Sequence, residues 1–80
     1  MKIINIIDKA TGLTSTLDVH AKLLNAGYQL VGETRVDQYM CFMNETSVYG
    51  IWTSPITAIS ETESGTEIET QNSIYIFEKE

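Results

Sequence analysis

Apolar positions recur along the chain with two different periods. In "KIINIID", Ile3, Ile4, Ile6 and Ile7 place apolar groups on both faces of a first strand. That pattern predicts a strand covered on both sides or partnered across an interface. "KATGLTS" follows as a polar connection with a turn-favouring Gly12. From residue 16 to 26, "TLDVHAKLLNA", the period becomes helical. At 100° per residue Asp18, Lys22 and Asn25 share a narrow polar arc, and Leu17, Val19, Ala21, Leu23, Leu24 and Ala26 cover the remainder. So wide an apolar arc predicts a helix pressed against a sheet. Ser15 is the expected N-cap, and Gly27 is the C-terminal stop because glycine tolerates positive φ.

The remaining segments have the short, β-branched and aromatic character of strands. "YQLVGETRV" follows the helix, with Gly32 a candidate bulge, and residues 36–38 turn the chain. "YMCFM" and "VYGIW" flank the polar loop "NETS" and predict a hairpin, which Ser54-Pro55 should end because proline cannot donate to a ladder. "ITAIS" runs into an acidic turn, and "SIYIFE", apolar on both faces, predicts an interior strand. The reading is α+β: a single helix packed on a twisted, mainly antiparallel β-sheet in the order β-α-β-β-β-β-β, one domain over residues 1–80. The expected core includes Leu17, Leu24, Ile6, Ile76 and Phe42. The sheet's second face is left to be closed by curling, by a loop or by another subunit. A chain of 80 residues has a thin core, so a homodimer is one expected way of covering that face.

Hydrophobic residues make up 42% of the chain, enough to exclude disorder as the expectation. Charge changes the picture more. The net charge is −6 at pH 7. Four basic and three acidic side chains lie in residues 1–35, against one basic and eight acidic in residues 36–80. Direct binding of nucleic-acid phosphates or of an anionic membrane needs clustered Lys and Arg, which this chain lacks. Basic proteins are the natural charged partners. Cys41 is the single cysteine, so neither an intramolecular disulfide nor a multi-cysteine zinc site is expected. A reducing cytoplasm suits that content, and no segment reads as a signal peptide or a membrane span.

"SETESGTEIET" concentrates Glu61, Glu63, Glu67 and Glu69 around Ser64-Gly65. A loop of Ser64-Gly65 alone pairs Glu63 with Thr66; a loop of Glu63 to Gly65 pairs Thr62 with Thr66 and Glu61 with Glu67. The second register separates charged from apolar residues better and is the one expected. It places like charges opposite one another, which costs roughly 0.2–1 kcal/mol. Two uses fit such a turn: a charged edge that resists strand addition, or a surface that steers and pairs with a basic partner.

Other candidates carry less chemistry. His20 falls near the middle of the apolar arc of the helix and is expected to be a core or rim histidine bonded to a backbone group. Cys41, Tyr39 and Met43 share one face of their strand, with Met40 and Phe42 on the other, and Cys41 is expected to be an inert small residue of the core. Trp52, if exposed with Tyr49 or Tyr39, is a candidate aromatic anchor of an interface. No phosphate-cradling glycine loop, calcium loop, metalloprotease motif or nucleophile elbow is present, and no cofactor or metal is expected. In size, acidity and lack of catalytic motifs the chain resembles in type the small proteins that phages and mobile elements encode to block host enzymes. That likeness rests on no sequence motif. It implies a non-enzymatic inhibitor or regulator that engages a basic surface of a nucleic-acid-handling protein through Glu61, Glu63, Glu67 and Glu69 with Tyr49 and Trp52. The alternative is a self-associating module whose acidic turn is merely solvated.

Overall fold

The computed structural model describes residues 2–46 and 50–79. Strand β1 (Ile3–Asp8) is followed by helix α1 (Asp18–Asn25) and then by β2 (Gln29–Val31), β3 (Tyr39–Met43), β4 (Ile51–Thr62), β5 (Gly65–Thr70) and β6 (Ser73–Glu78). The expected succession of one helix among six strands is the one observed. The six strands form one antiparallel sheet in the order β1-β6-β5-β4-β3-β2. Strands β2 to β6 are thus a simple meander, and β1 closes onto the last of them. The sheet curls into a half-barrel around the helix. Its concave side holds the core: Ile3, Ile6, Leu23, Met40, Phe42, Ile56, Ile68, Tyr75 and Phe77. The Phe42 ring stacks between those of Tyr75 and Phe77, at centroid distances of 6.0 and 6.1 Å.

The doubly apolar β1 is explained by its register. The pairing with β6 shifts between Ile3 and Asn5, so Ile4 is the extra residue and Ile3 and Ile6 both reach the core. An added residue in one strand resets the alternation. Strand β6 lies between β1 and β5, as its two apolar faces require. Tyr75 and Phe77 face the core, however, and Ile76, expected there, faces outward and is half-buried. Both rows are apolar, so alternation alone does not tell inside from outside; the larger aromatic rings fill the concave side.

Three other local expectations change. Ser15 is not the N-cap. Leu17 holds that position without a side-chain cap and is itself exposed, so it is no part of the core. The Ser15 hydroxyl instead accepts the Leu17 N–H at 3.3 Å and bonds the His20 ring. The strand after the helix is only three residues long. Gly32 has φ +79°, so the chain leaves the sheet there rather than bulging within it. Pro55 does not end a strand: β4 runs through it to Thr62. Pro55 lies where the β3–β4 register shifts, and a proline at such an irregularity removes no regular ladder bond. Gly27, with φ +72°, ends the helix as expected.

Candidate functional site

The β4–β5 hairpin settles the position of the four glutamates. Thr62 pairs with Gly65, Glu61 with Thr66, Ser60 with Glu67 and Ile59 with Ile68. The loop is therefore Glu63-Ser64, one residue earlier than the Ser64-Gly65 loop and one residue shorter than the Glu63–Gly65 loop considered from the sequence. Two local interactions hold it there. The Thr62 hydroxyl donates to the Gly65 carbonyl at 2.9 Å and accepts the Gly65 N–H at 3.1 Å. Gly65 is pressed onto β6 so closely that a Cβ would lie 1.9 Å from the Phe77 carbonyl oxygen. Its lack of a side chain serves that approach, not the turn. In this register Glu61 faces Thr66, whose hydroxyl donates to Glu61 Oε2 at 3.0 Å, and the expected carboxylate–carboxylate pair is avoided.

The four carboxylates consequently do not share a face. Glu61 lies at the rim of the concave side and Glu63 at the tip of the loop. Glu67 and Glu69, paired with Ile76 and Ile74 of β6, are on the outer face. Lys9 Nζ pairs with Glu69 Oε2 at 3.3 Å and donates to the Thr70 carbonyl at 3.1 Å. Among the described residues no cation is within ion-pair distance of Glu67.

The same outer face continues onto the other half of the sheet. Val31 pairs with Cys41 and Cys41 with Trp52, forming one cross-strand row. The neighbouring rows add Gln29 with Met43 and Tyr39 with Pro55. Trp52 is 67% exposed and Tyr39 59%, and Val31 and Met43 are also exposed. No charged residue occurs in these rows. Farther along β4, Ala58 lies opposite Glu69. The outer face is thus an uncharged, partly aromatic surface over β2–β4 that passes into Glu67 and Glu69 on β5. Trp52 was legible as a candidate anchor; Tyr49 lies outside the described residues. Alternation within "YMCFM" did group Tyr39, Cys41 and Met43. Their union with Val31 and Pro55 needed the pairing registers, which no local pattern encodes. Cys41 belongs to this outer face and is half-buried, so it is not the core residue expected.

His20 is on the opposite, concave side, away from Cys41. Its Nδ1 lies 2.6 Å from Ser15 Oγ and its Nε2 3.3 Å from the Tyr75 hydroxyl. Its partners are side chains, not the backbone group expected. The rings of His20 and Tyr75 meet edge to face. Burial lowers the His20 pKa below its ordinary 6.5, with the Asp8 charge opposing. Burial raises that of Tyr75, with the Ser73 side chain opposing. Both ring nitrogens have hydroxyl partners, and a neutral imidazole satisfies the pair by donating to one and accepting from the other. The arrangement ties the helix and its leading loop to β6.

Among the described residues no group of three His, Cys, Asp or Glu side chains could hold a metal ion, and no helix is long and apolar enough to cross a membrane. A concavity of about 530 Å³ lined by Gly27, Gln29, Val31, Met43 and Thr46, among others, lies beside β2. It brings together none of the glutamates at the hairpin. Compared with known proteins, the chain matches no family model, no curated protein and no solved structure.

Proposed function

We propose that this is a non-enzymatic binding protein that engages a basic protein surface through the outer face of its sheet. The observation that carries the reading is the exposure of Trp52 and Tyr39 on an uncharged face continuous with Glu67 and Glu69. Large exposed apolar surface is costly to leave in water and marks interaction sites. Tyrosine and tryptophan are the residues that anchor interfaces most often. Glu67 and Glu69 sit at the edge of that surface, where carboxylates steer a cationic partner and set register more than they add affinity. Glu61 and Glu63, on other sides of the hairpin, contribute to long-range attraction only.

Such a protein acts as an inhibitor or regulator, of the kind phages and mobile elements use, by covering a basic groove of a nucleic-acid-handling protein. It works in the cytoplasm, where the half-buried Cys41 thiol stays reduced. The reading is tested by measuring association and dissociation with captured basic proteins across a salt series. Three chains are compared: the wild type, Trp52→Ala, and Glu67→Gln with Glu69→Gln. Trp52→Ala should speed dissociation at least tenfold, as expected of an anchor. The double glutamine variant should slow association and flatten its dependence on salt. Binding indifferent to both changes would sink the reading.

A further inference from the structure

We infer that the outer face of the sheet is a receptor for one basic amphipathic helix, of about four turns, supplied by a different protein. The inference rests on the binding function proposed above and specifies the partner. Its first ground is the backbone. Strand β4, which carries Trp52, Pro55 and Ala58, is bonded to β3 over Ile51–Pro55 and to β5 over Ile56–Thr62. Its face offers side chains but no ladder of free N–H and C=O groups. An extended segment finds such groups only at a sheet edge; laid across this face it would leave its own backbone without partners. A helix satisfies its backbone internally, and a helix is what covers the apolar face of a sheet in layered folds. Helix α1 already covers the concave side, so the incoming helix completes a third layer.

Charge decides between a second copy of this chain and a different protein. In a two-fold dimer the same patch serves both subunits, so three placements of the axis are possible. An axis through the Trp52–Tyr39 half joins the exposed Val31, Tyr39, Met43 and Trp52 of the two subunits but leaves Glu67 and Glu69 outside the contact, so the charge of the face goes unmet. An axis near Ala58 sets Glu67 and Glu69 against the apolar rows of the other subunit, and of the two only Glu69 has a cation, Lys9, beside it. An axis through β5 sets carboxylate against carboxylate. The chain's own helix is equally unsuited: its residues Asp18–Asn25 include one cation, Lys22, and one anion, Asp18. A basic helix from another protein lies over both halves of the face and sets a cation against Glu67.

Spacing gives the length. Trp52 lies opposite Cys41, and Ser60 opposite Glu67. At about 3.3 Å per residue, and allowing for the two register shifts in β4, Trp52 and Glu67 are about 20 Å apart along the strands. A helix covers that span in about 13–14 residues at 1.5 Å each. Its apolar stripe would meet Tyr39, Trp52, Pro55 and Ala58. Lysines or arginines at one end would reach Glu67, and would compete with Lys9 for Glu69.

The test uses three synthetic peptides of 15 residues. One is an amphipathic helix former with a leucine stripe flanked by lysines. The second replaces the lysines by glutamates. The third keeps the lysines and leucines but is interrupted by prolines so that it cannot be helical. Trp52 is the single tryptophan and is exposed, so its emission should shift to the blue when the lysine helix covers it. Backbone amide shifts, followed in parallel, should move along β3, β4 and β5. The glutamate peptide should leave both signals unchanged. Glu67→Gln with Glu69→Gln should weaken binding of the lysine helix about five- to tenfold at low salt and much less at high salt. Equal binding of the proline-interrupted peptide would overturn the helical partner while leaving a basic ligand in place. Failure of both lysine peptides to bind would overturn the function as well as the partner. Amide shifts confined to α1 or β2 would overturn the face. Sedimentation of the free protein as a concentration-dependent dimer, abolished by Trp52→Ala, would hand the face to a second copy.

Discussion

His20 shows how a residue that looks catalytic in isolation becomes structural once its neighbours are in place. Both ring nitrogens are occupied, by Ser15 at 2.6 Å and Tyr75 at 3.3 Å, and the single thiol lies on the other side of the sheet. Its lowered pKa has a consequence for stability. The unfolded chain takes up a proton at about pH 6.5, whereas the buried imidazole resists protonation to a lower pH. The unfolded state therefore binds more protons below about pH 6.5. The contribution of this residue to stability is complete above that value and declines as pH falls from it. Urea unfolding at pH 8 and pH 5.5 should show that loss in the wild type and a smaller one in His20→Gln. Equal losses would assign the pH dependence to the carboxylates instead. The apolar arc was enough to place His20 at a buried position. Its partners were not legible, because Tyr75 is 55 residues away and Ser15 reads as a cap from sequence alone.

At the scale of elements, period and punctuation carried the assignment a long way. The helix, the short strands and the closing β6 follow from 3.6- and 2-residue spacings. Gly27 stops the helix because nothing else takes φ +72° at so little cost. What failed was register. Ile4 in β1 and the two shifts in β4 each reset the alternation, and the one-residue change in the β4–β5 register gave Glu61, Glu67 and Glu69 different cross-strand neighbours. Each of these is decided by contacts across strands, such as the Thr62 hydroxyl bridging to Gly65. Gly65 reads in the sequence as a turn glycine; its requirement comes from the Phe77 carbonyl oxygen of the next strand. Gly65→Ala should therefore destabilise the fold by on the order of 3 kcal/mol, through backbone strain and displacement of β6. The measurement is the shift in urea midpoint relative to Ser64→Ala in the same loop, which should change stability by less than about 0.5 kcal/mol. Similar midpoints for the two would show that β5 and β6 separate freely.

On the scale of the whole molecule, the sheet order puts the two functions of an antiparallel sheet on its two faces. The concave face holds the core and packs against His20 and Leu23 of the helix, and the outer face carries the exposed Tyr39 and Trp52. Only the first was readable in advance, since burial of large apolar residues is a local signal and the contents of the outer face depend on strand order. The closing pair in that order also sets how the chain folds. Ile3 lies opposite Phe77, and the Glu78 N–H donates to the Lys2 carbonyl at 2.8 Å. Strands β2 to β6 form from neighbours in sequence, whereas β1 has no strand to join until β6 is in place. Bringing such distant segments together costs loop entropy that local hairpins do not incur. The meander should therefore assemble first and β1 dock afterwards. Ile6→Val in β1 should leave the folding rate nearly unchanged and accelerate unfolding, while Ile68→Val in β5 should slow folding. Stopped-flow folding and unfolding rates for the two variants separate the cases. On a ribosome, where about 5–20 residues emerge per second, β1 would wait for several seconds with its isoleucines unpaired until β6 emerges, so of the six strands the one made before the others is the last to become native.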